Sequence, residues 1–215
     1  MEIILASNSP RRQQLLALTG LDFRVLPADI DETPLKGESA AEYVQRLAAN
    51  KARAVSSRVG DDALVIAADT TVVDGNQILG KPVDNQDAGR MLWQLRGRSH
   101  QVYTAVALLQ NGKLLVECCG TAVPMREYSE AEMQAYIQSG DPLDKAGAYA
   151  IQHAGFHPVE ALQGCYANVV GLPLCHLLRA LRKLGTEPDT GIPTKCQKTF
   201  EYDCPIYEAV LQEIQ

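Results

Sequence analysis

The chain predicts an α/β fold, with helices on both faces of a sheet and an antiparallel hairpin section. Two observations carry this. Short apolar runs rich in β-branched residues alternate with stretches whose apolar residues recur at helical spacing. Further on, within residues 99–128, two long runs of strand type meet at Asn111-Gly112, a strong short signal for a hairpin turn.

Taken in order, Glu2–Ala6 is a short apolar strand. Ser9 is a good helix N-cap, Pro10 suits the first helical position, and Gly20 is a plausible stop after Leu15, Leu16 and Leu18. "FRVLPADIDETP" (23–34) starts as a strand and runs into an acidic loop holding Asp29, Asp31 and Glu32. Residues 39–60 form a helix ended by Gly60, with Ala41, Val44, Ala48, Ala52 and Val55 as its inner stripe. "ALVIAADTTVV" (63–73) is a strand, and "DGN" (74–76) turns it back through "QILGKP" (77–82). Residues 84–97 form a helix with Met91, Leu92 and Leu95 inward. After the hairpin, Ser129 and Glu132 make a capping box for a helix that ends at Gly140. Residues 141–152 read as a polar loop followed by a small-residue strand. A last helix begins at Pro173 and carries Arg182 and Lys183 near its end, where they suit the helix dipole. Residues 186–215 change character: first a polar segment rich in turn residues, then a possible short helix in "CPIYEAVLQEIQ".

Composition excludes several classes. The 215 residues, 46% hydrophobic and 21% charged, suit a globular chain of one domain or two lobes. A net charge of −6 argues against a nucleic-acid or anionic-membrane partner, yet leaves room for a small anionic ligand. "MEIILASNS" lacks the basic start of a signal peptide, and no apolar run approaches the roughly 18 residues of a membrane helix. Six cysteines form no C-x-x-C pair, so neither a zinc site nor a disulfide framework is expected, and a reducing cytoplasm fits.

Several charges stand where an apolar scaffold disfavours them. Arg11 and Arg12 fall in the first turn of a helix, whose positive end disfavours cations unless an anion sits there too. Lys51 lies on the apolar side of its helix, either snorkelling to the edge or facing a site. Asp69 interrupts an apolar strand, a costly place for a carboxylate that is neither paired nor metal-bound. Lys81 and Lys145 sit in loops next to strands, the places where α/β folds build ligand crevices. Several cations with a few carboxylates are what phosphoryl chemistry requires. There is no Walker-type loop and no Ser-His-Asp set.

"LASNSPRR", "DIDE", "AADTTVV", "LGKP", "DKAGAYAIQ" and "NVVGLPL", in this order, resemble the successive motifs of the Maf family of nucleoside triphosphate pyrophosphatases, over residues 1–185. The resemblance implies an elongated mixed α/β sheet with flanking helices and two lobes around a cleft, similar to the inosine triphosphate pyrophosphatases. It leaves 186–215 as an extension of unknown role. It implies hydrolysis of a nucleoside triphosphate to monophosphate and pyrophosphate with a divalent metal (Mg²⁺, Mn²⁺ or Co²⁺), and a possible homodimer. Asp69 matches the proton acceptor for the attacking water. Ser7, Ser9, Arg11 and Arg12 match the triphosphate grip, joined by the cleft lysines Lys51, Lys81 and Lys145. Glu32, with Asp69, matches the metal-holding carboxylates. Arg12, Thr70 and Gln152 match positions that separate substrate subclasses, and Thr70 with Gln152 resembles the dTTP/UTP subclass. A Gln amide offers both a donor and an acceptor, which suits the adjacent carbonyl and N–H of uracil and thymine.

His153 and Ala154 stand where the family has glycine, and Cys165 and Ala167 where it more often has serine. The alternatives are the same chemistry on 7-methyl-GTP or another non-standard nucleotide, or a nucleotide-binding regulator of cell division. Replacing Arg12 or Lys51 by alanine is expected to weaken triphosphate binding at little cost in stability.

Overall fold

The computed structural model describes residues 2–186 and 188–212. Its strands are β1 (Ile3–Leu5), β2 (Arg24–Val25), β3 (Leu64–Asp74), β4 (Gln77–Leu79), β5 (Ser99–Gln110) and β6 (Lys113–Pro124). Its helices are α1 (Pro10–Ala17), α2 (Ala40–Val59), α3 (Asn85–Leu95), α4 (Glu130–Gln138), α5 (Tyr166–Val170), α6 (Leu174–Lys183), α7 (Ile192–Phe200) and α8 (Tyr207–Gln212). Among these, no helix is long and apolar enough to cross a membrane.

One mixed sheet runs β2-β1-β3-β5-β6, with β4 also on β3. β1 is parallel to β2 and to β3, and the β3–β5 and β5–β6 pairs are antiparallel. Since β5 takes one edge of β3 over residues 65–73, β1 and β4 must share the other. β1 pairs with Leu64–Ile66, and β4 with Val72–Asp74. Among the described residues, the middle of β3 is therefore left without a strand partner on that edge.

The three long strands thread two hydrophobic units. In the first lobe, Leu64, Ile66 and Ala68 of β3 pack with α1 and α6 on one face of the sheet. Val65 and Ala67 pack against the Val44–Ala48–Ala52–Val55 stripe of α2 on the other. This alternation is the period of two that a sheet buried on both faces requires. In the second lobe, Val72, Val102 and Val123 from the far ends of the same strands pack with α3, α4, Tyr128 and Phe156. The expected mixed sheet, flanking helices and two lobes are all present.

Local signals place most boundaries. Ser39 caps α2 through a full capping box with Glu42, Ser129 caps α4 with Glu132, and Asp84 caps α3. Two expectations need correction. Residues 141–152 form no strand; Asp141–Asp144 and Ala146–Ala148 are short 3₁₀ turns instead. A Cβ on Gly147 would lie 2.9 Å from Val72 Cγ1, and its φ is +69°. The small residues here serve close approach to β3 and not strand pairing. The polar stretch after residue 186 contains α7, whose start is organised by Asp189 accepting from Gly191 N at 2.8 Å and by buried Ile192.

The second lobe also buries His100, which is 2% exposed, with its Nε2 2.8 Å from the hydroxyl of Tyr149. Burial pulls its pKa down from 6.5 to about 4, against the pull of Asp74. An unfolded chain takes up this proton near pH 6.5 and the folded chain only near pH 4, so stability should fall as pH falls through that window. The loss attributable to His100 should be about 3 kcal/mol. Urea unfolding across pH 7 to 4 should give a shallower loss in His100→Gln than in the parent chain. Parallel curves would show that the imidazole is not held neutral by burial.

Candidate active site

The cleft, about 460 Å³, opens at the unpaired middle of β3, on the seam between the two cores. That volume suits a small molecule. β1 ends beside it, and the chain runs through Ser7 and Ser9 into α1, so the helix N-terminus faces the opening. The cap is as expected: Ser9 accepts from Arg12 N, with Pro10 in the first turn. Ser7, Ser9, Arg11, Arg12, Glu32, Lys51, Thr70, Lys81, Lys145 and Gln152 all line this one cavity. They come from six separate stretches of sequence.

Asp69 does not line it. The pleat turns Asp69 toward α2, where it is 6% exposed, while Thr70 points to the opposite face. Lys51 reaches from α2 and donates to Asp69 Oδ1 at 2.6 Å; the same ammonium lies 2.7 Å from Glu32 Oε1. Lys51 therefore does not snorkel. Two carboxylates, one on β3 and one in the loop before α2, converge on one cation. Burial pushes the Asp69 carboxyl above its ordinary pKa, opposed by the charges of Lys51 and Arg12.

These two carboxylates are also what a divalent metal would need here. Both are hard oxygen donors, and they already bracket one cationic centre. Among the described residues no cluster of three or more metal-ligating side chains exists. A metal held here would take these two carboxylates, the arrangement usual when substrate phosphates complete the shell.

The two arginines differ. Arg12 is held by the protein through three of its five N–H groups, which leaves the others for the cleft: Nε donates to Gly171 O at 2.9 Å, Nη1 to Ser7 Oγ at 3.3 Å, and Nη2 to Thr70 Oγ1 at 3.0 Å. Thr70 Oγ1 lies 2.9 Å from Thr104 Oγ1, and Thr104 Oγ1 donates to Asn168 O at 2.8 Å. A carbonyl only accepts, so Thr104 spends its one hydrogen on Asn168 O and must accept from Thr70; the hydrogens run one way, Arg12 to Thr70, Thr70 to Thr104, Thr104 to the backbone of α5. With its hydroxyl hydrogen spent, Thr70 offers a ligand only a lone pair. Arg11 is freer. Its side chain is 29% exposed and makes a single loose pair with Asp144, 3.6 Å away across the cleft.

Lys145 is tied to its own turn, donating to Asp141 Oδ1 at 2.9 Å and Asp144 Oδ1 at 2.6 Å. Gln152 is exposed at the rim, and Lys81 is exposed beside β4. Sequence reasoning missed Thr104, Asn168 and Tyr149. Thr104 and Asn168 are wholly buried, and Asn168 Nδ2 also donates to Val102 O and Thr121 Oγ1. Their one signal was a polar residue inside an apolar run.

The low stability cost expected for replacing Lys51 does not fit this geometry. Lys51→Met would leave Asp69 buried without its ion partner, a loss of about 3 kcal/mol by the measure of broken buried pairs. Denaturant unfolding should show that loss, and most of it should return in Lys51→Met with Asp69→Asn. A double variant no more stable than Lys51→Met would mean the pair is not what holds Asp69 in place.

A family model described as Maf-like protein matches residues 2–184. A dTTP/UTP pyrophosphatase of Pelotomaculum thermopropionicum is 47% identical over 186 residues, covering 86% of this chain and 97% of its own. A protein of the same description from Hahella chejuensis is 48% identical over 185 residues, covering 85% of this chain and 92% of its own. Among solved structures, the Ham1 protein of Staphylococcus aureus overlaps 60% of this chain and 76% of its own at 18% identity, with a TM-score of 0.44, too loose to carry an argument. The matched span contains every residue of the cleft, and the chain belongs to the Maf-like protein family.

Proposed function

We propose that the chain hydrolyses dTTP and UTP to the nucleoside monophosphate and pyrophosphate. The observation that carries this reading is the pairing of Asp69 and Glu32 around Lys51 beside a cleft lined by Arg11, Arg12 and Lys81. The relatives named dTTP/UTP pyrophosphatase, nearly half identical over most of their length, support the same substrates.

The polyphosphate lies along the α1 N-terminus, where backbone N–H groups and Arg11 meet its charge. Arg11 makes one loose ion pair, so it can turn to a phosphate at little cost. Lys51 is drawn toward the phosphates, and that movement uncovers Asp69. Asp69 then accepts a proton from the water that attacks the α-phosphorus, with Lys51 and Arg11 stabilising the departing pyrophosphate. Asp69 and Glu32 would hold a divalent cation such as Mg²⁺, Mn²⁺ or Co²⁺, which when bound supplies charge neutralisation at the phosphates. The base lies toward Gln152 and Thr70. A lone pair on Thr70 favours a donor such as the imide N–H of uracil or thymine over a phosphate oxygen. The free thiols suit a reducing cytoplasm.

With dTTP or UTP and a divalent metal, chromatography should find monophosphate and pyrophosphate; diphosphate with single phosphate would place the attack at the γ-phosphorus and reject the reading. Asp69→Asn should lower turnover about a hundredfold or more with the circular dichroism unchanged. Near-normal turnover would remove Asp69 as the proton acceptor.

Gln152→Glu loses a donor and adds a negative charge. It should reduce kcat/KM for dTTP and UTP by a cost of roughly 1–3 kcal/mol, and that for cationic 7-methyl-GTP by less. Equal losses on both substrates would show that Gln152 does not read the base.

A further inference from the structure

The family match ends at residue 184, yet the chain beyond it is not a loose appendage. Tyr202, in the turn after α7, puts its hydroxyl into the loop that leads to α5. That oxygen accepts from Gly164 N at 3.2 Å and lies 3.1 Å from Leu162 O and 3.0 Å from Gly164 O. The neighbouring Cys204 thiol also reaches Gly164 O, at 3.8 Å. Tyr166, in the first turn of α5, stacks on Phe200 with ring centroids 4.6 Å apart, and lies 5.6 Å from the Tyr202 ring. The C-terminal segment thus grips the loop by its backbone and the helix by its first side chain.

The grip is next to the cleft. A Cβ at Gly164 would come within 2.9 Å of Thr121 Cγ2, so the loop sits hard against β6. Thr121 Oγ1 accepts from Asn168, and Asn168 O receives the hydrogen relayed from Arg12 through Thr70 and Thr104. At the other end of α5, Gly171 O takes Arg12 Nε directly. α5 has only five residues and no side-chain cap, so its placement must come from outside contacts.

We propose that Tyr202 is a positioning residue for the cleft: through the 162–164 loop it holds α5 where Gly171 and Asn168 fix the guanidinium of Arg12. Arg12 lies 159 residues from Gly171 in sequence, and a shift of α5 would release its Nε–H and break the one-way hydrogen order at Thr70. The C-terminal segment then belongs to the substrate site, although its described residues contribute no atom to the cleft wall. This inference rests on the proposed activity only for its kinetic readout.

The test is Tyr202→Phe, which keeps the ring stack and removes the hydroxyl, with Ile192→Val as a core-trimmed control in the same segment. Amide exchange of residues 166–171, followed by mass spectrometry well below the melting temperature, should quicken tenfold or more in Tyr202→Phe relative to α2 and β3. The KM for dTTP and UTP should rise threefold or more with kcat within twofold, because Asp69 and Lys51 do not touch α5. Ile192→Val should change neither ratio. Unchanged exchange of α5 relative to α2 and β3 overturns the proposal, and so does faster exchange with an unchanged KM. If the parent chain hydrolyses neither dTTP nor UTP, the activity assignment fails by itself. The affinity for inorganic tripolyphosphate, compared between the parent and Tyr202→Phe, then takes the place of KM: threefold weakening supports the positioning role and equal affinity overturns it.

Discussion

An ammonium held between two carboxylates makes the centre of this molecule possible. Asp69 interrupts a long, largely buried strand of the sheet, where an unpaired charge would be costly. Lys51 makes the charge tolerable, and it can do so because α2 is long, well capped and packed face-on against β3. Glu32 closes the group from a loop that the Tyr43 hydroxyl pins by donating to the Glu32 carbonyl at 2.8 Å. Remove Lys51 and the strand, the helix and the acidic loop lose their common point. The same contact covers Asp69.

The second constraint is the division of the sheet into two cores. Apolar side chains fill β3 up to Ala68 and again from Val72, and the interval is polar. Thr70, Thr104, Thr121 and Asn168 occupy that interval on one face and are linked by hydrogen bonds, although Asn168 Oδ1 is left without a partner. Asp69 and Lys51 occupy it on the other. A polar band across adjacent strands would be expensive in a single core. Here it lies on a boundary beside a cleft, and nearly every group finds a partner.

Much of this was legible in the sequence because the signals were local. The caps at Ser9 and Ser129 set helix starts, and the Asn111-Gly112 turn paired β5 with β6 along their length. Arg11, Arg12, Lys51 and Asp69 stood out because each opposes the preference of its own element. What was hidden depends on distant contacts. The small residues of 146–150 resemble a strand until Val72 is placed against Gly147. Thr104 and Asn168 look like incidental polar residues until three strands and α5 bring them together. The separation of Arg12 from Arg11 in role is equally invisible in "SPRR", since only Gly171 and Thr70 distinguish them.

The long strands also decide how the cleft can change shape. β3, β5 and β6 run unbroken from one lobe into the other, tied by backbone hydrogen bonds along most of their length. Such a spine resists bending, so the lobes cannot swing like two plates on a hinge. Compliance is left to what spans the gap: the Arg11–Asp144 contact, the turns around Lys145, and the side chain of Lys51. Admission and release of a ligand are then matters of side-chain and loop exchange, on the faster timescales those motions have, while the frame around them stays still.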